Sequence, residues 1–252
     1  MQATEDNKVR NRIVSIVEIS SKCGYAISLD EIALLLPYEI ELANIREIIQ
    51  SEPRISVSLS IKKGLVVQKG YEHLFSERAH REDVSKRCLE IAKSFVEQLI
   101  RRSSHVKLIG VCGSVAYGSA VMSDDVDLFL VTKKHRLWLS VSKALLLARV
   151  FNIKALIKGE KADFCLSYVQ DEEYFEEEIN HRKTPLFARE FLSINVLTGV
   201  NYYTTLLDRA NWIRLIFPRL YSSRLIAQGK DKLSRAEDPS KSEADNILNL
   251  FV

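Results

Sequence analysis

Residues 111 to 133 read VCGSVAYGSAVMSDDVDLFLVTK, a buried-strand run that ends in a glycine-rich turn and is followed by a second apolar run carrying two acids one valine apart. In a strand, alternate side chains share a face, so Asp125 and Asp127 project together about 6 to 7 Å apart, while Val126 and Leu128 point into the core. Asp124 is out of phase with Asp127 and is read as turn or cap chemistry.

Two carboxylates held side by side repel unless they are protonated or bridged by a cation. An all-oxygen pair suits Mg²⁺, which completes its shell with water and substrate phosphates, and this points to a nucleoside triphosphate. The turn fits the same substrate. Gly113 lets backbone approach a phosphate, and Ser114 offers a hydroxyl and an amide at the start of a short helix, an end that favours anions. Lys133, with Lys134 and Arg136 just past the acid-bearing strand, is the candidate side-chain contact to the triphosphate, the other reading being a solvated basic loop. Asp163 opens a third strand, ADFCLSYV, and is the expected third carboxylate. Placed beside the first two, it would share a second metal and accept a proton from an incoming hydroxyl, in an in-line displacement with ions ~4 Å apart.

Cys112, Gly113 and Ser114, a gap of about ten residues, and then Asp125, Val126, Asp127 and Leu128 resemble the motif of the nucleotidyltransferase superfamily of the polymerase β type. Ala116, Gly118, Ser123 and Asp124 are similar to the small residues and Ser-Asp pair common in its bacterial and archaeal members, and Asp163 stands at the family's third acid. The resemblance covers residues 105 to 170. It implies an Mg²⁺-dependent transfer of a nucleoside monophosphate from an NTP, ATP first among them, to a hydroxyl acceptor of unknown identity, with release of pyrophosphate. Asp125, Asp127 and Asp163 would be both metal ligands and catalytic groups, and Gly113, Ser114 and Lys133 would bind the nucleotide.

Working outward, residues 9 to 22 carry a helical apolar stripe; Ser28 and Glu31 form a capping box before a second helix closed by Pro37; ELANIREIIQ is a third, ended by Pro53. ISVSLSIKKGLVVQKG alternates with period two around Lys63-Gly64, a hairpin. Three helices and a hairpin predict a winged helix-turn-helix over residues 1 to 80. A catalytic domain follows over 81 to 170, with a linker helix at 82 to 102, two strands about the motif, the helix RLWLSVSKALLLARVF and the third strand. Residues 171 to 252 read as a C-terminal helical region that includes PLFAREFLSINVLTG, with a mobile polar tail and an apolar latch at ILNLFV. The fold class is α/β (α+β): a winged helix, a central mixed sheet with helices, and a helical bundle. Tyr202, Tyr203 and Trp212, at helical spacing, are expected in the core rather than stacked on a base.

The 252 residues carry a net charge of +3, too slight to require a nucleic-acid partner. Residues 1 to 80 hold ten Lys and Arg against eleven Asp and Glu, so DNA binding through the winged helix is an alternative, with packing, homodimerisation or partner recognition ahead of it. A DNA-binding regulator with a nucleotide-sensing body, and a protein-modifying toxin-antitoxin component, are the rival functions. No apolar run nears the ~20 residues of a membrane span and the start lacks a secretion signal, so a cytoplasmic location without membrane contact is expected. Cys23, Cys88, Cys112 and Cys165 are too scattered for a zinc site and read as reduced core thiols. His105 and His181 are isolated and receive no role.

Overall fold

The computed structural model describes residues 2–37, 39–157 and 163–227. The expected polar tail and the ILNLFV latch lie outside them. The chain divides into two units, Met1–His80 with Phe217–Arg224, and Arg81–Ile216 with Leu225–Val252.

The first unit opens with α1 (Gln2–Lys22), whose stripe buries Ile13, Ile16 and Val17. A two-residue strand β1 (Ile27–Ser28) leads into α2 (Leu29–Leu35). The expected capping box is present: Glu31 N–H donates to Ser28 Oγ at 3.1 Å and Ser28 N–H donates to Glu31 Oε2 at 2.7 Å. α3 (Leu42–Ser51) buries Ile45 and Ile49. Pro53 ends it and also opens the short α4 (Pro53–Ser56), because a proline at the first helical position loses no intrahelical bond. Strands β2 (Leu59–Lys62) and β3 (Leu65–Gln68) form the expected hairpin, closed by Lys63 at φ 51° and Gly64 at φ 81°. Both turn residues take left-handed backbone, the geometry whose twist suits a two-residue hairpin loop. β1 adds to the other edge of β3, Ile27 opposite Val66; a two-residue strand gives periodicity too little to register.

Helix α5 (Leu74–Arg102) begins in this unit and continues into the second. At its start Arg78 donates to Ala26 O at 2.6 Å and Glu31 Oε1 at 3.2 Å, and its guanidinium lies 4.0 Å from the centre of the Tyr25 ring. Tyr25 donates to Glu31, and burial, followed by that carboxylate, drives its hydroxyl far above the ordinary tyrosine range.

The second unit is a four-stranded sheet in the order β6-β5-β4-β7, built from β4 (Val106–Val111), β5 (Val126–Thr132), β6 (Phe164–Asp171) and β7 (Asn195–Thr198). Between β4 and β5 lies the short α6 (Gly113–Tyr117). β4 and β5 are antiparallel, whereas β5 and β6 are parallel and need the crossover that α7 (Leu137–Ile157) supplies. One face packs Val126, Leu128 and Leu130 against Phe95, Val96 and Leu99 of α5 and Ala144, Leu147 and Ala148 of α7. On the other face the rings of Phe129 and Tyr168 stack at 4.4 Å. Phe175 of α8 (Glu172–His181) and Phe191 of α9 (Pro185–Ser193) close over them. Tyr203 of α10 (Val200–Arg209) and Trp212 of α11 (Asn211–Ile216) are buried there, their polar atoms bonded to Phe191 O and Ile179 O. That removes both from base stacking, as expected; Tyr202 bonds to Glu176. Finally α12 (Pro218–Ala227) returns to the first unit, where Arg219 donates to Ala33 O at 3.2 Å.

Two expectations change here. Residues 194 to 198 were expected inside a helix, yet α9 stops at Ser193 and β7 joins the sheet beside β4. Gly110 makes this approach possible: a Cβ there would stand 2.5 Å from Ile194 Cγ2 and 2.8 Å from Asn195 O. Nor are all four cysteines core thiols. All are free, but Cys23, in the turn just past α1, is exposed, and so is Cys165, on the edge strand β6.

Gly199, at φ 84°, stands against β4, where a Cβ would run into Lys107 O and lie 2.8 Å from Leu108 Cα. Gly199→Ala should therefore cost more than about 2 kcal/mol, read as a lower urea midpoint. Gly64→Ala, with open space around it, should cost only the backbone term of roughly 1 kcal/mol.

Candidate active site

The site grows from the ends of β4 and β5. Cys112 N–H donates to Asp127 O at 2.9 Å, which carries the ladder one step past the Val111–Leu128 pair. The chain then turns at Gly113, φ 65°, into α6 and leaves that helix through Gly118 at φ 71°. A Cβ on Gly113 would collide with Asp127 Oδ2 and lie 3.1 Å from Asp127 Cγ, so glycine alone lets turn and carboxylate meet. Ser114 O accepts from Ser119 N–H at 2.9 Å and folds the loop back. α5 holds that loop from behind: Arg81 donates to Ser119 O at 3.1 Å, and Ser85 Oγ accepts from Ala120 N–H at 3.1 Å.

Asp124 caps its own turn, accepting from Val121 N–H at 3.1 Å while its own N–H donates to Val121 O at 3.0 Å. Asp125 is exposed, one residue before β5. Asp127 is half-buried and accepts a hydrogen bond from the Ser167 hydroxyl of β6. Asp163 reaches the same end of the sheet through its backbone, its carbonyl accepting from Val126 N–H at 2.8 Å. Its carboxylate, however, accepts from the Asn152 amide of α7 at 3.1 Å. Among the described residues no group of three or more His, Cys, Asp or Glu side chains gathers into an arrangement able to hold a metal ion. Asp125 and Asp127 nevertheless offer the hard oxygen donors that Mg²⁺ takes one or two at a time. Lys133 stands past the far end of β5, six residues and roughly 20 Å along the strand from Asp127. It does not join the group.

Several neighbours of Asp127 escaped the sequence reading. Cys165 lies opposite it in register. Ser167 stands two residues further along β6, a period-two signal that was there to be read. From α9, Glu190 Oε1 accepts from the Tyr117 hydroxyl at 2.8 Å, and the Arg189 guanidinium lies 5.3 Å from the centre of the Tyr117 ring. Only the tertiary fold carries α9 to α6. Burial pushes the Cys112 thiol up to about 12, with help from the carboxylates of Asp127 and Glu190.

The family model for the nucleotidyltransferase domain matches residues 92–198. The match therefore runs from within α5 to the last residue of β7 and takes in the whole second sheet. No curated protein and no solved structure gives a match to the chain. A nucleotidyltransferase domain supports a general transferase activity on a nucleotide substrate. No described helix is long and apolar enough to cross a membrane.

The thiols of this domain should separate by reactivity at pH 8. Cys165, exposed, takes up iodoacetamide readily, while Cys112 and Cys88, whose pKa values burial raises, stay protonated and slow until urea unfolds the chain. Mass spectrometry of the peptides checks this, and equal labelling of Cys112 and Cys165 in the native protein would contradict the geometry.

Proposed function

We propose that this protein is an Mg²⁺-dependent nucleotidyltransferase that moves a nucleoside monophosphate from an NTP, ATP first among them, to a hydroxyl acceptor. One observation carries the reading: within the matched region, the Gly113 turn is seated directly on the Asp127 carboxylate. The triphosphate lies over the backbone at Gly113 and Ser114. Asp125 and Asp127 would hold Mg²⁺, which neutralises phosphate charge when bound. Ser167 fixes the rotamer of Asp127 through its hydrogen bond. Arg189, beside α6, takes the role of phosphate cation in place of Lys133. Asp163, oriented by Asn152, accepts the proton of the incoming hydroxyl. The acceptor oxygen forms a bond to the α-phosphorus, the bond from that phosphorus to the bridging oxygen breaks, and pyrophosphate leaves.

Pyrophosphate release from the four NTPs, each with a panel of hydroxyl acceptors, tests the reading. Asp127→Asn should lower the rate by about 10²- to 10³-fold, the scale for losing electrostatic support of the transition state. Arg189→Ala should raise the KM for NTP about tenfold, the loss of one charge-assisted hydrogen bond. The reading fails if calorimetry detects no Mg²⁺-dependent NTP binding and Asp127→Asn changes nothing.

The first unit supports a second assignment, a winged helix-turn-helix, through its order of helix, strand, three helices and hairpin and its β1-β3-β2 sheet. Its α3 segment, with Glu41, Arg46 and Glu47, does not favour phosphates, so a protein surface is the preferred partner and DNA the alternative. Gel shifts at low ionic strength decide between them: a sequence-specific, salt-sensitive shift would establish DNA, and none would leave the protein partner.

A further inference from the structure

The hydroxyl that steadies Asp127 is also placed to react. β6 pairs Cys165 with Asp127 and then Tyr168, not Ser167, with Phe129, so Leu166 and Ser167 stand against the single Leu128 of β5. This is a bulge, a device that re-aims a side chain beside active sites. Its effect shows in two consecutive residues. Asp127 and Phe129 share one face of β5. Ser167 donates to Asp127 and the Tyr168 ring stacks on Phe129 at 4.4 Å, so both side chains lie on that face. Regular pleating would send one of the two to the opposite side.

The Asp127 carboxylate therefore joins two parts of the site. Its Oδ2 fills the space beside Gly113, in the turn over which the triphosphate lies in the proposed function, and its Oδ1 accepts from Ser167 Oγ. A hydroxyl has one hydrogen to donate and two lone pairs. Ser167 gives its hydrogen to Asp127, and among the described residues no group donates to its oxygen in return, so both lone pairs are open. Ser167 is also exposed, on the edge strand of the sheet, where a substrate can reach it. A hydroxyl bonded to a carboxylate, with its oxygen otherwise uncommitted, is the arrangement of an activated serine nucleophile.

We infer that Ser167 is itself an acceptor and that the protein nucleotidylates its own chain there. The inference rests on the proposed nucleotide site. Ser167 Oγ forms a bond to the α-phosphorus of the NTP as its proton passes to Asp127 Oδ1. The bond from that phosphorus to the bridging oxygen breaks, and pyrophosphate leaves with the electron pair. The product is a phosphodiester between Ser167 and the nucleoside. One hydroxyl is consumed per chain, so the reaction stops at a single nucleotide.

Full-length protein incubated with Mg²⁺ and each of the four NTPs, with no acceptor added, should gain the mass of one nucleoside monophosphate. Peptide fragmentation of this wild-type product should place the group on Ser167. Ser167→Ala should abolish the gain with a native circular dichroism spectrum. Ser167→Thr, which keeps a hydroxyl on a residue suited to a strand, should still take up the nucleotide at that position. Calorimetry with Mg²⁺ and NTP separates this inference from the proposed function. NTP binding without an adduct, an adduct on another residue, or an adduct that persists in Ser167→Ala would each overturn self-modification at Ser167 and leave the nucleotide site standing. Absence of both binding and adduct would remove the two together.

Discussion

The four-stranded sheet unit depends on a contact in which nothing is added: the missing side chain of Gly113 leaves the space that Asp127 Oδ2 fills. Positive φ at Gly113 aims the chain from β4 into α6, and the Cys112–Asp127 backbone bond sets the height at which that happens. The rest of the unit maintains this meeting of turn and acid. α5 anchors the returning loop through Arg81 and Ser85, β6 steadies the carboxylate through Ser167, and the two packed faces hold β4 and β5 in register. Any residue larger than glycine at 113 would have to displace the acid or the helix.

Much of this was legible in the sequence because local chemistry and tertiary need coincide. Val126 and Leu128 are buried where the alternation placed them, and Ser28 with Glu31 caps as the spacing requires. Lys63-Gly64 turns because its left-handed backbone suits a hairpin. The losses have a common cause. β7 lacks its own period and lies beside β4 where Gly110 admits Ile194; Arg189 reaches α6 through the packing of α9; Asn152, the partner of Asp163, stands on a helix that only the fold brings near. Lys133 was placed by adjacency along the chain, yet a strand carries its two ends to opposite sides of a sheet.

Position in the sheet also explains the uneven environment of the cysteines. Cys112 ends a central strand and is covered, whereas Cys165, its near neighbour across Asp127, sits on the edge strand and meets solvent. A reagent or oxidant thus finds one sulfur beside the carboxylate and not the other. The same helix, α7, ties together the core of the sheet and the Asn152 contact to Asp163, so changes along it reach more than one part of the domain.

The return of α12 to the first unit gives that unit a discontinuous sequence. On the ribosome, the opening eighty residues emerge without the segment that completes them, and the intervening sheet has time to fold first. Expressing those residues as a fragment would strip away a buried partner, leaving Ala33 O without the arginine that satisfies it.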